Sequence, residues 1–253
     1  MNIVVCLKQV PRDNTVAITA NHAIDASGIE PIINLFDEYA LEAALQLNDT
    51  HGGTVTVLSL GDDEWQDQMR RAMAMGATDA LLVQADAQYD LFSAAQIIAN
   101  AIRHLGMPDV VMCGRNATDD ESAALAPMLA RLLGWPQVTY VTAITASDAT
   151  SLTAVRQLED ERETVQVTLP AVLSIAKGEQ EPRFPSLLRV RKFAKQVIPT
   201  VTIADIGAPS APAVQIIDRV PPAARKGGEI IAGADVAAKV AALVDRLIAD
   251  QAL

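Results

Sequence analysis

Residues 109–140 read DVVMCGRNATDDESAALAPMLARLLGWPQVTY, and the fold turns on this stretch. Its apolar run Val110-Val111-Met112 ends abruptly at Gly114. A polar loop follows, then a helix pattern that Gly134 and Pro136 stop. A strand that ends in Gly and feeds a helix sets the loop at the strand's carboxyl end. Open α/β sheets bind ligands there. Thr118 and Glu121 have capping-box spacing, so the helix is expected to start near Thr118. Free amides at such a start hold a phosphate. Asp119, Asp120 and Glu121 in the same turn already satisfy the helix dipole and repel one. Spacing leaves a nucleotide loop and an ordinary capped turn both open.

Upstream, strands and helices alternate. Residues 2–7 read as a buried central strand, with Lys8 just past its end, read as a solvated surface cation ahead of one that meets an anion. Residues 11–28 are irregular and polar. The run Ile32 to Asp37 leads into a helix over 38–47, with Ala40, Leu41, Ala44, Leu45 and Leu47 as one apolar stripe. Residues 54–60 are a strand ended by Gly61, and Asp62 or Asp63 caps a helix over 65–75. Met69, Met73 and Met75 read as core. A strand over 80–83 and a helix over 91–105 follow, the latter closed by Gly106. Such alternation implies parallel βαβ units in a doubly wound, mainly parallel sheet.

Downstream the pattern changes. Additional strands are expected at 138–144, 151–158, 163–167 and 170–176, with Asp160-Glu161-Arg162 as a charged turn. Residues 178–196 hold a basic island, Arg183, Arg189, Arg191, Lys192 and Lys195, in an acidic protein. Residues 197–233 are rich in Pro, Ala and Gly without a period, too long for a turn and arm-like. A helix over 235–248 closes the chain, its Val236, Val240, Leu243, Val244 and Leu247 on one side. The expected organisation is an α/β domain over 1–196 and a C-terminal arm over 197–253 that lies on another chain.

The 253 residues carry a net charge of −11, which argues against a nucleic-acid surface, as do aromatics at 4%. No apolar run approaches a membrane span, and the N-terminus reads as a strand rather than a signal peptide, so a cytoplasmic protein is expected. Cys6 and Cys113 sit in apolar runs and read as buried reduced thiols. His22, His51 and His104 lack metal-ligand spacing and read as surface residues. There is no GxGxxG, Walker A or Gly-x-Ser-x-Gly motif. A cap or a turn explains the paired carboxylates Asp119-Asp120 and Glu159-Asp160-Glu161 without acid–base catalysis.

Several stretches together resemble the small (beta) subunit of electron transfer flavoprotein. They are VVCLKQVP, INLFDEYALEAALQL, RRAMAMGATDALLV, CGRNATDDESAALAPMLARLLGWPQVTYV and AVRQLEDERETVQVTLPAVLS. The last is similar to the family signature from Ala154 through Arg156, the acidic trio, Glu163, Pro170 and Ser174. EPRFPSLLRVRKF resembles the family's recognition loop, residues 182–195 here.

That resemblance implies a heterodimer with a larger alpha subunit that carries the redox FAD. Electrons come from flavin dehydrogenases and pass to an acceptor such as a quinone oxidoreductase. It also implies an AMP site in this chain, or a second FAD in members that bifurcate electrons from NADH. The implied contacts are Cys6, Asn34, Leu35, Phe36, Asp37, Leu60, and Gly114 through Leu125: Gly114, Arg115, Asn116, Ala117, Thr118, Asp119, Asp120, Glu121, Ser122, Ala123, Ala124 and Leu125. Phe36 matches an aromatic that approaches the alpha-subunit flavin. Leu187 matches the leucine that grips dehydrogenases, flanked by Arg183, Arg189 and Arg191. The chain departs from the pattern at Asn34-Leu35, where Asn-Pro is usual, at Asn116, where Gln is usual, and at Ala123 or Ala124, where Gln or Asn is usual. Asp119-Asp120-Glu121 resembles the ordinary type and the 36–42 segment the bifurcating one. A free-standing universal-stress-type module ranks last, because its glycine-rich motif after the fourth strand is missing.

Overall fold

The computed structural model describes residues 1–253 except 14–15, 20–22, 86–88, 219, 221–222, 224–226 and 253, so His22 lies outside the described residues. Along the chain come β1 (Asn2–Cys6), β2 (Gln9–Pro11), β3 (Ala17–Ile18), β4 (Ile24–Asp25), β5 (Pro31–Ile33) and α1 (Leu35–His51). Next are β6 (Thr54–Gly61), α2 (Gln66–Met75), β7 (Asp79–Gln84), α3 (Leu91–His104), β8 (Val110–Gly114) and α4 (Leu125–Leu133). Then follow β9 (Gln137–Ser147), β10 (Ser151–Gln157), β11 (Arg162–Thr168), β12 (Ala171–Ile175), α5 (Leu187–Phe193), β13 (Thr200–Thr202), α6 (Ile203–Ile206) and α7 (Val236–Ala249).

One sheet organises these elements, in the order β11-β10-β9-β12-β8-β1-β6-β7-β13. Its centre is parallel, with Val5 opposite both Val57 of β6 and Met112 of β8. The β9–β10–β11 end is antiparallel. Successive side chains of β1 point to opposite faces. Ile3, Val5 and Leu7 join α1, α2 and α5 in one core, while Val4 and Cys6 join α3 and α4 in the other. Both faces are therefore covered, as a doubly wound sheet requires. Met69, Met73 and Met75 are buried in the first core, and both cysteines are buried and free. His51 and His104 are exposed.

Two boundaries move. The α1 helix begins at Leu35 rather than 38, with Asn34 at its cap position. The α4 helix begins at Leu125, seven residues after Thr118, which corrects the capping-box expectation. The Thr118 amide donates instead to Asn34 Oδ1 at 3.2 Å. Glu121 and Ala123 adopt left-handed φ values of 51° and 52°, which a right-handed helix cannot contain.

The sheet also continues past residue 196. Ile198 is buried, and β13 pairs with β7 at the edge. Beyond Gly207 the chain runs along α3, where Ser210 donates to Gln96 and the Ala213 and Val214 amides to Asp90. Asp235 caps α7, whose Val236, Val240, Leu243, Val244 and Ile248 are all exposed.

Candidate functional site

The chain steps from β1 to β6 and β7 on one side, then returns through α3 to β8 on the other. Strand order thus reverses between β1 and β8, and a crevice opens beyond their carboxyl ends. A cavity of about 940 Å³ occupies it. Cys6, Lys8, Asn34, Asp37, Leu60, Gly114, Arg115, Asn116, Ala117, Asp119, Asp120, Ser122, Ala123, Ala124 and Leu125 line it. Of the residues named from sequence, Leu35, Phe36, Thr118 and Glu121 are not in the lining.

Asp37 ties the floor together. Its Oδ2 accepts from the Lys8 amide at 2.8 Å and its Oδ1 from the Gly114 amide at 3.0 Å. The first turn of α1 is thereby pinned to the ends of β1 and β8. The approach is close: a Cβ at Gly114 would collide with Asp37 and the Phe36 backbone. Burial raises the Asp37 pKa from 3.8 to about 7, although the two amides and Asn34 pull it down. Asn34 shapes the roof. It is buried, donates through Nδ2 to the Asn116 carbonyl at 2.9 Å, and accepts from Thr118. The two thiols sit side by side on neighbouring strands at the back. A hydrogen bond to Cys6, reinforced by burial, pushes the Cys113 thiol up.

The loop 115–124 brings opposite signs to the mouth. Lys8 Nζ meets Asp119 Oδ1 at 2.7 Å and Asp120 Oδ2 at 3.1 Å. Burial opposes the Lys8 charge, yet the two carboxylates outweigh it and raise its pKa. The expectation of a solvated Lys8 is thereby corrected. For Asp120, burial works upward, but the Ser122 amide and Lys8 bring the pKa down. The acids lie on the loop, and the first turn of α4 holds none. Its cap position is Ala124, without a side-chain cap. The amides at the start of a helix have no carbonyl one turn earlier to pair with. Here Ala123, Ala124 and Leu125 line the cavity at that helix start, a fit for an anionic group, although Pro127 in the same turn brings no N–H. Left-handed residues just before them curve the loop into a concavity of the kind that holds phosphates. Across the cavity, Leu58, Leu60 and Ile98 supply an apolar wall.

Sequence reasoning missed part of this lining. Leu58 and Gly61 stand at the end of β6, where the strand-end rule points. Trp65 covers Gly61 so closely that a Cβ there would strike the indole. Tyr89, Leu91, Ala94 and Ile98 arrive from α3 and the segment before it. Outside the cavity, Phe36 lies under the Arg115 guanidinium at 4.7 Å, with Tyr140 at 5.9 Å. Of the basic residues, Arg183 and Arg189 are bonded to the body of the domain, while Arg191 is exposed.

A doubly wound sheet with a ligand-sized cavity at its switch point defines an α/β protein. The family model described as "Electron transfer flavoprotein domain" matches residues 22–206. The chain is 34% identical over 258 residues to the electron transfer flavoprotein subunit beta of Thermoanaerobacterium thermosaccharolyticum, covering 98% of each chain. It is 30% identical over 239 residues to the subunit of the same name from Bacillus subtilis, covering 92% of each. It is 33% identical over 257 residues, 98% of each chain, to the Caffeyl-CoA reductase-Etf complex subunit CarD of Acetobacterium woodii. The chain belongs to the electron transfer flavoprotein family, on its beta-subunit side, and its role lies in electron transfer. Among the described residues no helix is long and apolar enough to cross a membrane.

Proposed function

We propose that this chain is the beta subunit of a heterodimeric electron carrier whose cavity at the β1/β8 switch point holds a structural AMP. The observation that carries this reading is the uncapped amide end of α4 on the cavity wall. An AMP phosphate would lie against the amides near Ala123 to Leu125, with Lys8 offsetting the Asp119 and Asp120 charges. The base would lie against the wall of Leu58, Leu60 and Ile98. Bound there, the nucleotide adds stability by mass action and takes no part in bond chemistry.

A larger alpha subunit supplies the redox FAD and covers the exposed apolar side of α7. That side is an uncovered apolar surface. Phe36 and Arg115 would face the alpha-subunit flavin. Electrons enter from flavin dehydrogenases such as acyl-CoA dehydrogenases and leave to a quinone oxidoreductase. A relative whose name sets it in a complex with a CoA-ester reductase supports partners of that chemistry. Residues 182–195 dock the dehydrogenase. Phe184, Leu187 and Leu188 are 91%, 80% and 80% exposed, which suits anchors that fill an apolar pocket.

A second reading draws on the cavity's size. About 940 Å³ lies at the upper end of small-molecule sites, so a second FAD is the alternative, in a bifurcating protein that oxidises NADH. Identifying the nucleotides released when the purified complex is denatured separates the two. One FAD and one AMP per heterodimer is the expected result. Two FAD without AMP would replace this reading with the bifurcating one.

A further inference from the structure

Three large apolar side chains within five residues, Phe184, Leu187 and Leu188, stand almost wholly in solvent. Left free, such a segment would fold back onto the domain to hide them. Before it, residues 176–186 contain no helix or strand. What holds it out, besides the buried Phe193 at the end of α5, is a pair of arginine clamps, one on each side of the apolar group.

The first clamp is Arg183 on Glu42. The Arg183 main-chain N–H and Nε–H both donate to Glu42 Oε2, at 3.1 and 2.8 Å, and Nη2–H donates to Oε1 at 3.1 Å. Asp49 Oδ2 accepts a further bond from Nη2 at 2.9 Å. Glu42 is buried on α1, so its charge needs this partner. Burial alone would raise the Glu42 pKa, but the Arg183 bonds bring it below the usual value. The second clamp is Arg189, which donates to the Ala74 and Met73 carbonyls at 2.9 and 2.7 Å. Those are carbonyls in the last turn of α2, where a helix end favours a cation. Ser186 caps α5 between the clamps.

We infer that Glu42 and Arg183 are the positioning pair that presents Phe184, Leu187 and Leu188 to the electron donor. This rests on the reading that residues 182–195 dock a flavin dehydrogenase. Arg183 therefore steers nothing by long-range charge, because its guanidinium is already neutralised by two carboxylates. Its contribution is to fix the segment beforehand, which removes an ordering cost from association. Lysine cannot replace it fully, since a planar fork is needed to reach both oxygens of one carboxylate.

The test uses the purified alpha–beta complex, with the flavin dehydrogenase that reduces the parent most efficiently as donor. Arg183→Gln and Glu42→Gln should each raise the apparent KM for this acceptor about fivefold or more, with kcat and bound nucleotide at parent values. Hydrogen exchange of a peptide spanning 181–193 should accelerate in both. Arg183→Lys should fall between them and the parent. Leu187→Ala should raise KM without changing the exchange. A parent-like KM in Arg183→Gln beside a raised KM in Leu187→Ala overturns the positioning role alone. If Leu187→Ala is also parent-like, the docking reading fails, and unchanged exchange in Arg183→Gln then overturns the clamp as well. Should Arg183→Gln not fold, the near-isosteric Glu42→Gln decides. Loss of nucleotide together with the rise in KM would mean general destabilisation and overturn the proposal.

Discussion

Replacing Asp37 with Ala removes the carboxyl that ties Lys8 and Gly114 to α1. Two amides lose their acceptor, at about 1–3 kcal/mol each where they are buried, so the gross loss is about 2–6 kcal/mol. A second effect has the opposite sign and depends on pH. Burial lifts the Asp37 pKa from 3.8 to about 7. Below 3.8 the folded and unfolded chains both carry the proton. Between 3.8 and about 7 the unfolded chain has released it while the folded chain keeps it. The Asp37 contribution to stability then falls by about 1.4 kcal/mol per pH unit as pH rises, and it levels off above the folded value. Alanine has nothing to titrate. From pH 5 to 7 the stability gap between parent and Asp37→Ala therefore narrows by about 2 kcal/mol, and by a further few tenths to pH 8 as the folded carboxyl finishes titrating. Urea unfolding of the purified protein at pH 5, 6, 7 and 8 measures the gap. A gap that is flat or widens with pH would mean that the folded state does not favour the protonated carboxyl, and would refute the reasoning.

Lys8→Met leaves Asp119 and Asp120 uncompensated at the cavity mouth, so nucleotide retention should weaken about tenfold, read by equilibrium dialysis. Stability without nucleotide should change by less than about 1 kcal/mol, since the pair is partly exposed; a dialysis constant equal to the parent's would rule out a role for Lys8 at the anion. Leu129→Ala empties a fully buried position where α4 meets the sheet and should cost about 3 kcal/mol in urea unfolding, and a cost below about 1 kcal/mol would show that α4 is not held there. Expressed without an alpha subunit, the chain should aggregate or bind a hydrophobic dye through the uncovered side of α7; a monodisperse, dye-silent monomer by light scattering would count against that covering.

The central strands were legible because their apolar runs are continuous and end in Gly, as at Gly61 and Gly114. The antiparallel end was legible from period-two alternation and the turn before Arg162, where the Leu158 amide donates to the Glu161 carbonyl. Thr200–Thr202 gave no such signal, being three residues long with two of them polar, and only pairing with β7 makes it a strand. The start of α4 was misread for a tertiary reason. Thr118 and Glu121 have the spacing of a capping box, but Asn34, 84 positions away, takes the Thr118 amide first. Arg183 and Arg189 read only as members of a basic island, because their acceptors lie 141 and 115 positions away in sequence. Ionic partners that distant leave no mark in local pattern, whereas burial does. The cavity was legible at its strand ends and illegible where α3 lines it.

The α1 helix bears on both the cavity and the docking segment, and its residues divide cleanly between the tasks. Ala40, Leu41, Ala44 and Leu45 bury one side against the sheet. Tyr39, Glu42, Gln46 and Asp49 follow at three- and four-residue spacing, which aligns them on the other side. That side bonds Glu181, Arg183, Gln180 and again Arg183. The helix start, through Asn34 and Asp37, holds the cavity loop and the ends of β1 and β8. A helix of 17 residues is about 25 Å long and does not bend without a cause such as proline, which α1 lacks. Cavity and docking segment are thus fixed to one rigid rod rather than joined by a moving part. A nucleotide that binds only the folded state would deepen the stability of the whole rod. It would shift the docking segment only if α1 had two arrangements that bind the nucleotide with different affinity.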